Sequence, residues 1–318
     1  MRRVVLLIVV VGIAMLLVGC GRQSTSLSDR TVSGYEVIDG QGTVIKLTKK
    51  PQKILPLSIG TDEMLVGIVP LERIAALTYL ADDVGMSNII EEAKQVPNKI
   101  KANPESIIAL QPDLLIVADW QSPELVQIIR EAGIPVYVYK TPSRIEEVKT
   151  VIMQLAQVVG EEENGKKIVM EMDKKLLAVA EKLKDIPDNQ RLTVVRFSLM
   201  GGSDGIGSLF DDICRQAHVV NAAATIGLGK DDIMSKEQIV QANPDVFIMP
   251  MWDYSAKTDI MKFKADIQGD PAFQSVSAIQ QQKLFMVPDK HLASSSQYIV
   301  EAVYDIATVA YPEYMNKK

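Results

Sequence analysis

Glu105-Ser-Ile-Ile-Ala-Leu-Gln-Pro-Asp-Leu-Leu-Ile-Val-Ala-Asp-Trp120 aligns without a gap on Glu237-Gln-Ile-Val-Gln-Ala-Asn-Pro-Asp-Val-Phe-Ile-Met-Pro-Met-Trp252. Glu105 matches Glu237, Ile107 matches Ile239, Pro112-Asp113 matches Pro244-Asp245, Ile116 matches Ile248, and Trp120 matches Trp252. Each copy reads as a short helix, a Pro-Asp turn and a buried strand that ends at a tryptophan. Self-similarity at so long a period predicts two structurally equivalent lobes.

Outward from the repeat, short apolar runs alternate with amphipathic stretches, the pattern of βαβ units around a parallel sheet. Strands are expected at residues 53–57, 74–77, 114–117 and 136–139, and again at 192–197, 219–221, 246–249 and 283–287. Helices are expected between them, for example at 61–66 and at 123–132, the latter stopped by Gly133. Residues 143–185 show no strand pattern. Ile145, Val148, Ile152, Leu155 and Val159 recur at helical spacing there, Gly160 and Asn164-Gly165 are expected breaks, and a second helix is expected over 166–183. A helix of about 20 residues spans about 30 Å, enough to cross from one lobe to the other. The expected fold class is α/β: two Rossmann-like lobes with parallel central sheets, joined by a long helical crossover, with a ligand cleft between them.

The first residues carry a different signal. Met1-Arg2-Arg3 precedes an apolar run from Val4 to Val18, too short for a spanning helix of about 20 residues but typical of a secretory signal. The run ends in Leu17-Val18-Gly19-Cys20 and resembles a bacterial lipoprotein signal, which implies that Cys20 becomes the lipid-modified first residue. The expected organisation is a signal over 1–19, lipidated Cys20 and a tether over 20–50, an N-terminal lobe over 51–142, a crossover over 143–189 and a C-terminal lobe over 190–318. The other cysteine, Cys214, lies in an apolar helical stretch and reads as a buried small hydrophobe.

Composition excludes several classes of function. The 318 residues carry 34 Lys+Arg against 40 Asp+Glu, a formal net charge of −6 that suits no general nucleic-acid binder. Two cysteines and two histidines cannot build a disulfide framework, an iron–sulfur cluster or a His-rich metal site.

The signal, the paired lobes and the single helical crossover together are similar to the cluster A-II (class III) substrate-binding proteins of ABC importers for iron–siderophores, haem and cobalamin. The similarity covers residues 53–312. It is carried by Asn103-Pro104-Glu105 with Gln111-Pro112-Asp113, by Ser235-Lys236-Glu237 with Asn243-Pro244-Asp245, by Ser58 with Thr61-Asp62-Glu63, and by Gly133-Ile134-Pro135. The resemblance implies an extracytoplasmic, lipid-anchored monomer that holds no intrinsic cofactor. Its partners would be a small-molecule metal chelate, the membrane through the lipid, and a permease dimer with its ATPase subunits. It further implies that Glu105 and Glu237 dock into arginine pockets of the permease, arginine being the fork-shaped partner for carboxylate. Read alone, each is an acid suited to the first turn of a helix.

Ligands of parallel α/β lobes bind outside the carboxyl ends of the strands. Residues just past those ends are Ser58, Thr61, Tyr79, Trp120 and Tyr139 in the first lobe. In the second they are Arg196, Ser198, Ser203, Trp252, Tyr254, His291 and Tyr298. Trp120 and Trp252, the only two tryptophans, read either as core or as flat walls for a polarisable ligand. Arg196 in an apolar strand reads either as one half of a buried ion pair or as a charge offered to an anionic chelate. His291 reads either as an iron ligand or as a solvent-exposed side chain, and His218 as a helix-end group bonding carbonyls. A ferric siderophore is the expected cargo, because few aromatics and one arginine suit a compact anionic chelate; cobalamin and haem are the alternatives. A rival of another class is a lipid-anchored serine esterase. Gly201-Gly-Ser-Asp-Gly205 matches the nucleophile-elbow pattern around Ser203, with Asp253 and His291 following in order, though no oxyanion-loop motif accompanies it.

Overall fold

The computed structural model describes residues 34–317, so the signal and Cys20 lie outside the described residues. Two parallel sheets organise the chain. In the first lobe Leu114–Ala118 lies between Ile54–Pro56 and Val136–Tyr139, and Ile74 bridges to the free edge of Ile54. In the second, Val246–Pro250 lies between Thr193–Ser198 and Leu284–Val287, and Val220–Asn221 holds the far edge of Thr193–Ser198. The spatial order is second-first-third-fourth in both, so the sequence repeat is a repeat of topology.

The matched residues show why it persists. Asn103 and Ser235 each cap the helix that follows, accepting from the N–H of Ser106 (3.0 Å) and Gln238 (3.2 Å), a contribution of about 1 kcal/mol each. Gln111 and Asn243 end those helices in the left-handed conformation, at φ 47° and 44°. Asp113 then accepts from the N–H of Gln52 and Lys53, both at 2.8 Å, while Asp245 accepts from the N–H of Thr193 at 2.8 Å. Each Pro-Asp turn thus pins the start of the lobe's first strand beside the central one.

Both central strands are buried throughout, as parallel strands covered on two faces must be. Leu114, Ile116, Val246 and Ile248 face one continuous core that runs through both lobes. Leu115 and Val117 face a separate core in the first lobe, Phe247 and Met249 another in the second. Phe197, Phe247 and Phe273 pack with ring centroids 5.8–5.9 Å apart in that second-lobe core.

The crossover is two helices, Ile145–Val159 and Glu162–Leu183. Gly160 ends the first at φ 70°. The expected break at Asn164-Gly165 does not occur, and the second helix starts earlier than residue 166. A Cβ on Gly165 would stand 2.5 Å from the Ala156 methyl, so this glycine is a close helix–helix contact rather than a stop. Asn164 meanwhile donates to the carbonyl of Ile68 (2.9 Å), tying the crossover to the end of the first-lobe helix Ile59–Ile68.

Within the 20–50 segment, the described residues from 34 on require a correction. Tyr35–Ile38 and Val44–Leu47 form an antiparallel hairpin whose Val37, Ile45 and Leu47 are buried in the shared core. Its Gly40 N–H donates to the carbonyl of Val138 at 2.6 Å, so these residues are part of the first lobe rather than tether. Cys214 is buried as expected, and burial pushes its thiol well above the ordinary range.

Candidate functional site: a cavity at the strand ends

A cavity of about 360 Å3 opens at the carboxyl ends of Thr193–Ser198 and Val246–Pro250. Four expected residues, Arg196, Ser198, Trp252 and Tyr254, line it, together with Met200, Asp253, Asp289 and Leu292. Met86, from the loop after Leu77–Thr78, is the first lobe's contribution. The lining is thus an indole, a phenol, a phenyl ring, three thioethers and a few charged groups, the composition of a small-molecule site.

One edge is closed by contact between the lobes. An ideal Cβ on Gly85 would fall 2.0 Å from Cγ of Trp252, so the indole lies against bare backbone. Trp252 remains 37% exposed. Gly85→Ala is therefore expected to displace the ring and to cost about 1–3 kcal/mol in overpacking. In a Trp120→Phe background, where Trp252 alone emits, the check is red-shifted emission and stronger quenching by acrylamide. An unchanged spectrum would mean that the contact does not hold in solution.

Charge in the cavity is arranged by two carboxylates and one arginine. Arg196 Nη1 lies 3.0 Å from Asp204 Oδ2, so the guanidinium is an ion-pair member rather than a free cation. Asp204 adopts φ 68° and also accepts from Ser203 Oγ at 2.6 Å. Asp289 Oδ2 accepts from the N–H of both Met251 and Trp252 at 2.8 Å, fixing the turn that carries the indole. Burial raises the Asp289 carboxyl, opposed by those two N–H groups and by Arg196. The Asp253 carboxyl is lowered by the Ser255 hydroxyl and N–H and by Thr258.

Other expected residues fall elsewhere. Thr61 is fully buried, joined to Ser58 Oγ (2.7 Å) and to the Tyr139 hydroxyl (3.0 Å), so it packs the lobe instead of facing a ligand. Ser58 is half-buried and caps the helix that follows. Burial raises the Tyr139 phenol. Trp120 is 61% exposed outside the cavity lining, and Tyr79 is exposed with Lys101 Nζ 5.1 Å from its ring centre. Tyr298 packs against the shared core. His291 Nδ1 is 2.6 Å from Asp305 Oδ2, on the helix Ile299–Ala310. His218 bonds the carbonyl of Ile186 at 2.8 Å. Glu105 and Glu237 are both exposed, at the second position of matched helices.

The esterase arrangement is not assembled. Gly201–Ser203 is an antiparallel strand returning along Thr193–Ser198, not a strand-to-helix elbow. Ser203 donates to Asp204, His291 is held by Asp305, and Asp253 accepts from its own loop. Met86, Gly85 and Asp289 were not among the expected site residues. The first two sit in a loop without periodic pattern. The acid of Pro288-Asp289 was the available signal for the third.

A model of the periplasmic binding protein family matches residues 68–291. The chain is 23% identical over 303 residues to the iron-uptake system-binding protein of Bacillus subtilis, covering 90% of this chain and 91% of that protein. It is 38% identical over 132 residues to the vitamin B12-binding protein of Vibrio campbellii, 41% of this chain and 46% of that one. The solved structure of molybdate-bound MolA from Haemophilus influenzae matches with a TM-score of 0.73 at 17% identity, covering 88% of this chain and 92% of that chain, a likeness of fold.

Proposed function

The chain belongs to the periplasmic binding protein family, in its cluster A-II (class III) branch, and from that premise we propose that it captures an iron-siderophore-type metal chelate between its lobes and delivers it to the permease of an ABC importer. The observation that carries this reading is the cavity at the strand ends, walled by Trp252, Tyr254 and Met200 and met from the other lobe by Met86. The iron-uptake relative, matched along nine-tenths of the chain, favours iron among the metals. Cobalamin is the second reading, favoured by the B12-binding relative; haem is the third.

The protein is a substrate-binding protein acting outside the cytoplasm. No helix among the described residues is long and apolar enough to cross a membrane. Attachment would come from a lipid on Cys20, and delivery from Glu105 and Glu237 meeting basic pockets of the permease. Equivalent placement supports the pair: both are exposed, and both follow the cap of a matched helix.

The test is a titration of the full-length protein with a ferric trihydroxamate, cyanocobalamin and haem, followed by tryptophan quenching. A saturable response in the micromolar range or below is expected for one of them. Silence toward all three sinks the chelate reading. Changing Glu105 and Glu237 together to alanine is expected to leave that response intact and abolish uptake by cells; loss of neither removes the docking role.

A further inference from the structure

The charges around the cavity narrow the ligand further. Among the described residues, its lining holds one cation, Arg196, and two carboxylates, Asp253 and Asp289. The cation is already matched, because its Nη1 is 3.0 Å from Asp204. The carboxylates accept hydrogen bonds only from neutral donors: backbone N–H groups of Met251 and Trp252 for Asp289, and the N–H groups of Ser255, Lys257 and Thr258 with the Ser255 hydroxyl for Asp253; Arg196 also acts on Asp289 through space, but its single charge is shared with Asp204. Hydrogen bonds from neutral groups stabilise a carboxylate without cancelling its charge. The cavity therefore carries excess negative charge beside two aromatic rings, and both features favour a positive group.

We propose that the cleft selects a neutral or cationic chelate with an apolar face and rejects anionic ones, an inference that rests on the capture function above. An anion entering would meet two carboxylates, Asp289 half-buried and Asp253 more open to solvent, and to reach Arg196 it would have to displace Asp204. A protonated amine on an otherwise neutral complex gains both the carboxylates and the faces of Trp252 and Tyr254. This reverses the preference for a compact anionic chelate expected from Arg196 in the sequence.

A matched series separates charge from shape: ferrioxamine B, whose free amine makes the complex cationic, its neutral N-acetyl derivative and its anionic N-succinyl derivative share one iron centre. The full-length protein is titrated with each, and with cyanocobalamin and haem, at low and physiological ionic strength. Ferrioxamine B is expected to bind at least tenfold more tightly than the succinyl form, the gap shrinking with salt. Asp289→Asn combined with Asp253→Asn, which keeps an acceptor oxygen at each turn, is expected to reduce the gap between the cationic and anionic forms below threefold, and an undiminished gap overturns the inference. If the ferrioxamines do not bind, response to cyanocobalamin but not haem supports the inference. Preference for the succinyl form or for haem overturns it and leaves chelate capture standing. Silence toward the whole panel overturns both.

Discussion

Glu63→Ala is expected to lower stability by about 3 kcal/mol, read as a fall in the urea midpoint, because removing this buried carboxylate leaves the half-buried donors of Asn88 without their acceptor. Glu63 lies on the first-lobe helix Ile59–Ile68, yet its carboxylate is 1% exposed and bonds into the second lobe. Oε1 accepts from the N–H and the amide of Asn88, at 2.9 and 2.8 Å, and that amide also donates to the carbonyl of Lys290 at 2.8 Å. Oε2 accepts from the hydroxyls of Ser294 (3.1 Å) and Ser296 (2.5 Å). The Glu63 carbonyl accepts from Gln297 at 2.7 Å, and a Cβ on Gly60 would stand 2.3 Å from Ser295 Oγ. The serine hydroxyls can turn to each other, being already 2.8 Å apart. The two donors of Asn88 have no such recourse, and each costs about 1–3 kcal/mol when orphaned. Glu63→Gln is expected to cost about 1 kcal/mol or less, since it keeps one acceptor and hydroxyls can accept from its amide. A midpoint unmoved by Glu63→Ala would show that this network does not hold the lobes.

The difference between what the sequence reveals and what it hides follows the range of the interactions. Both central strands are fully buried apolar runs bounded by Pro-Asp, and they lie where the sequence places them, to within a residue or two. Helix caps at Asn103 and Ser235 are local hydrogen bonds three residues long, so they too are legible. The hairpin over residues 35–47 had its signal, alternating Val37, Ile45 and Leu47 about an Asp39-Gly40 turn, but its polar half resembles a tether. The cavity was half legible. Strand ends predict Arg196, Ser198, Trp252 and Tyr254, whereas contact between Gly85 and Trp252 depends on how two lobes meet. Arg196 presents the sharpest case. Its strand context left its partner open, and the partner turned out to be Asp204, eight residues on, brought round by an antiparallel return and a left-handed backbone turn.

Asp62, beside Glu63, should make the protein less stable as pH rises, and Asp62→Asn should remove most of that dependence. The side chain is fully buried, and Thr78 donates to it from both its N–H and its hydroxyl. Burial pushes its carboxyl up to about 8 from an ordinary 3.8, against the lowering effect of Thr78, with Glu63 raising it further and Lys99 lowering it. Between these values the folded chain keeps a proton that the unfolded chain has released, so stability falls with rising pH. The contribution is complete below about pH 4 and is lost as pH passes through about 8. Urea midpoints from pH 5 to 9 are expected to decline for the parent and to stay nearly flat for Asp62→Asn, with the variant the more stable at pH 9. Some slope should persist, because burial raises Glu63 in the same sense. Parallel curves would mean that Asp62 is ionised in the folded state. The two acids divide one helical turn between them: Asp62 fastens the helix to Leu77–Thr78 within its own lobe, and Glu63 fastens it to the other. Asp62→Asn should therefore change the pH profile without changing how Trp252 is quenched. Glu63→Ala should loosen the contact between lobes at every pH.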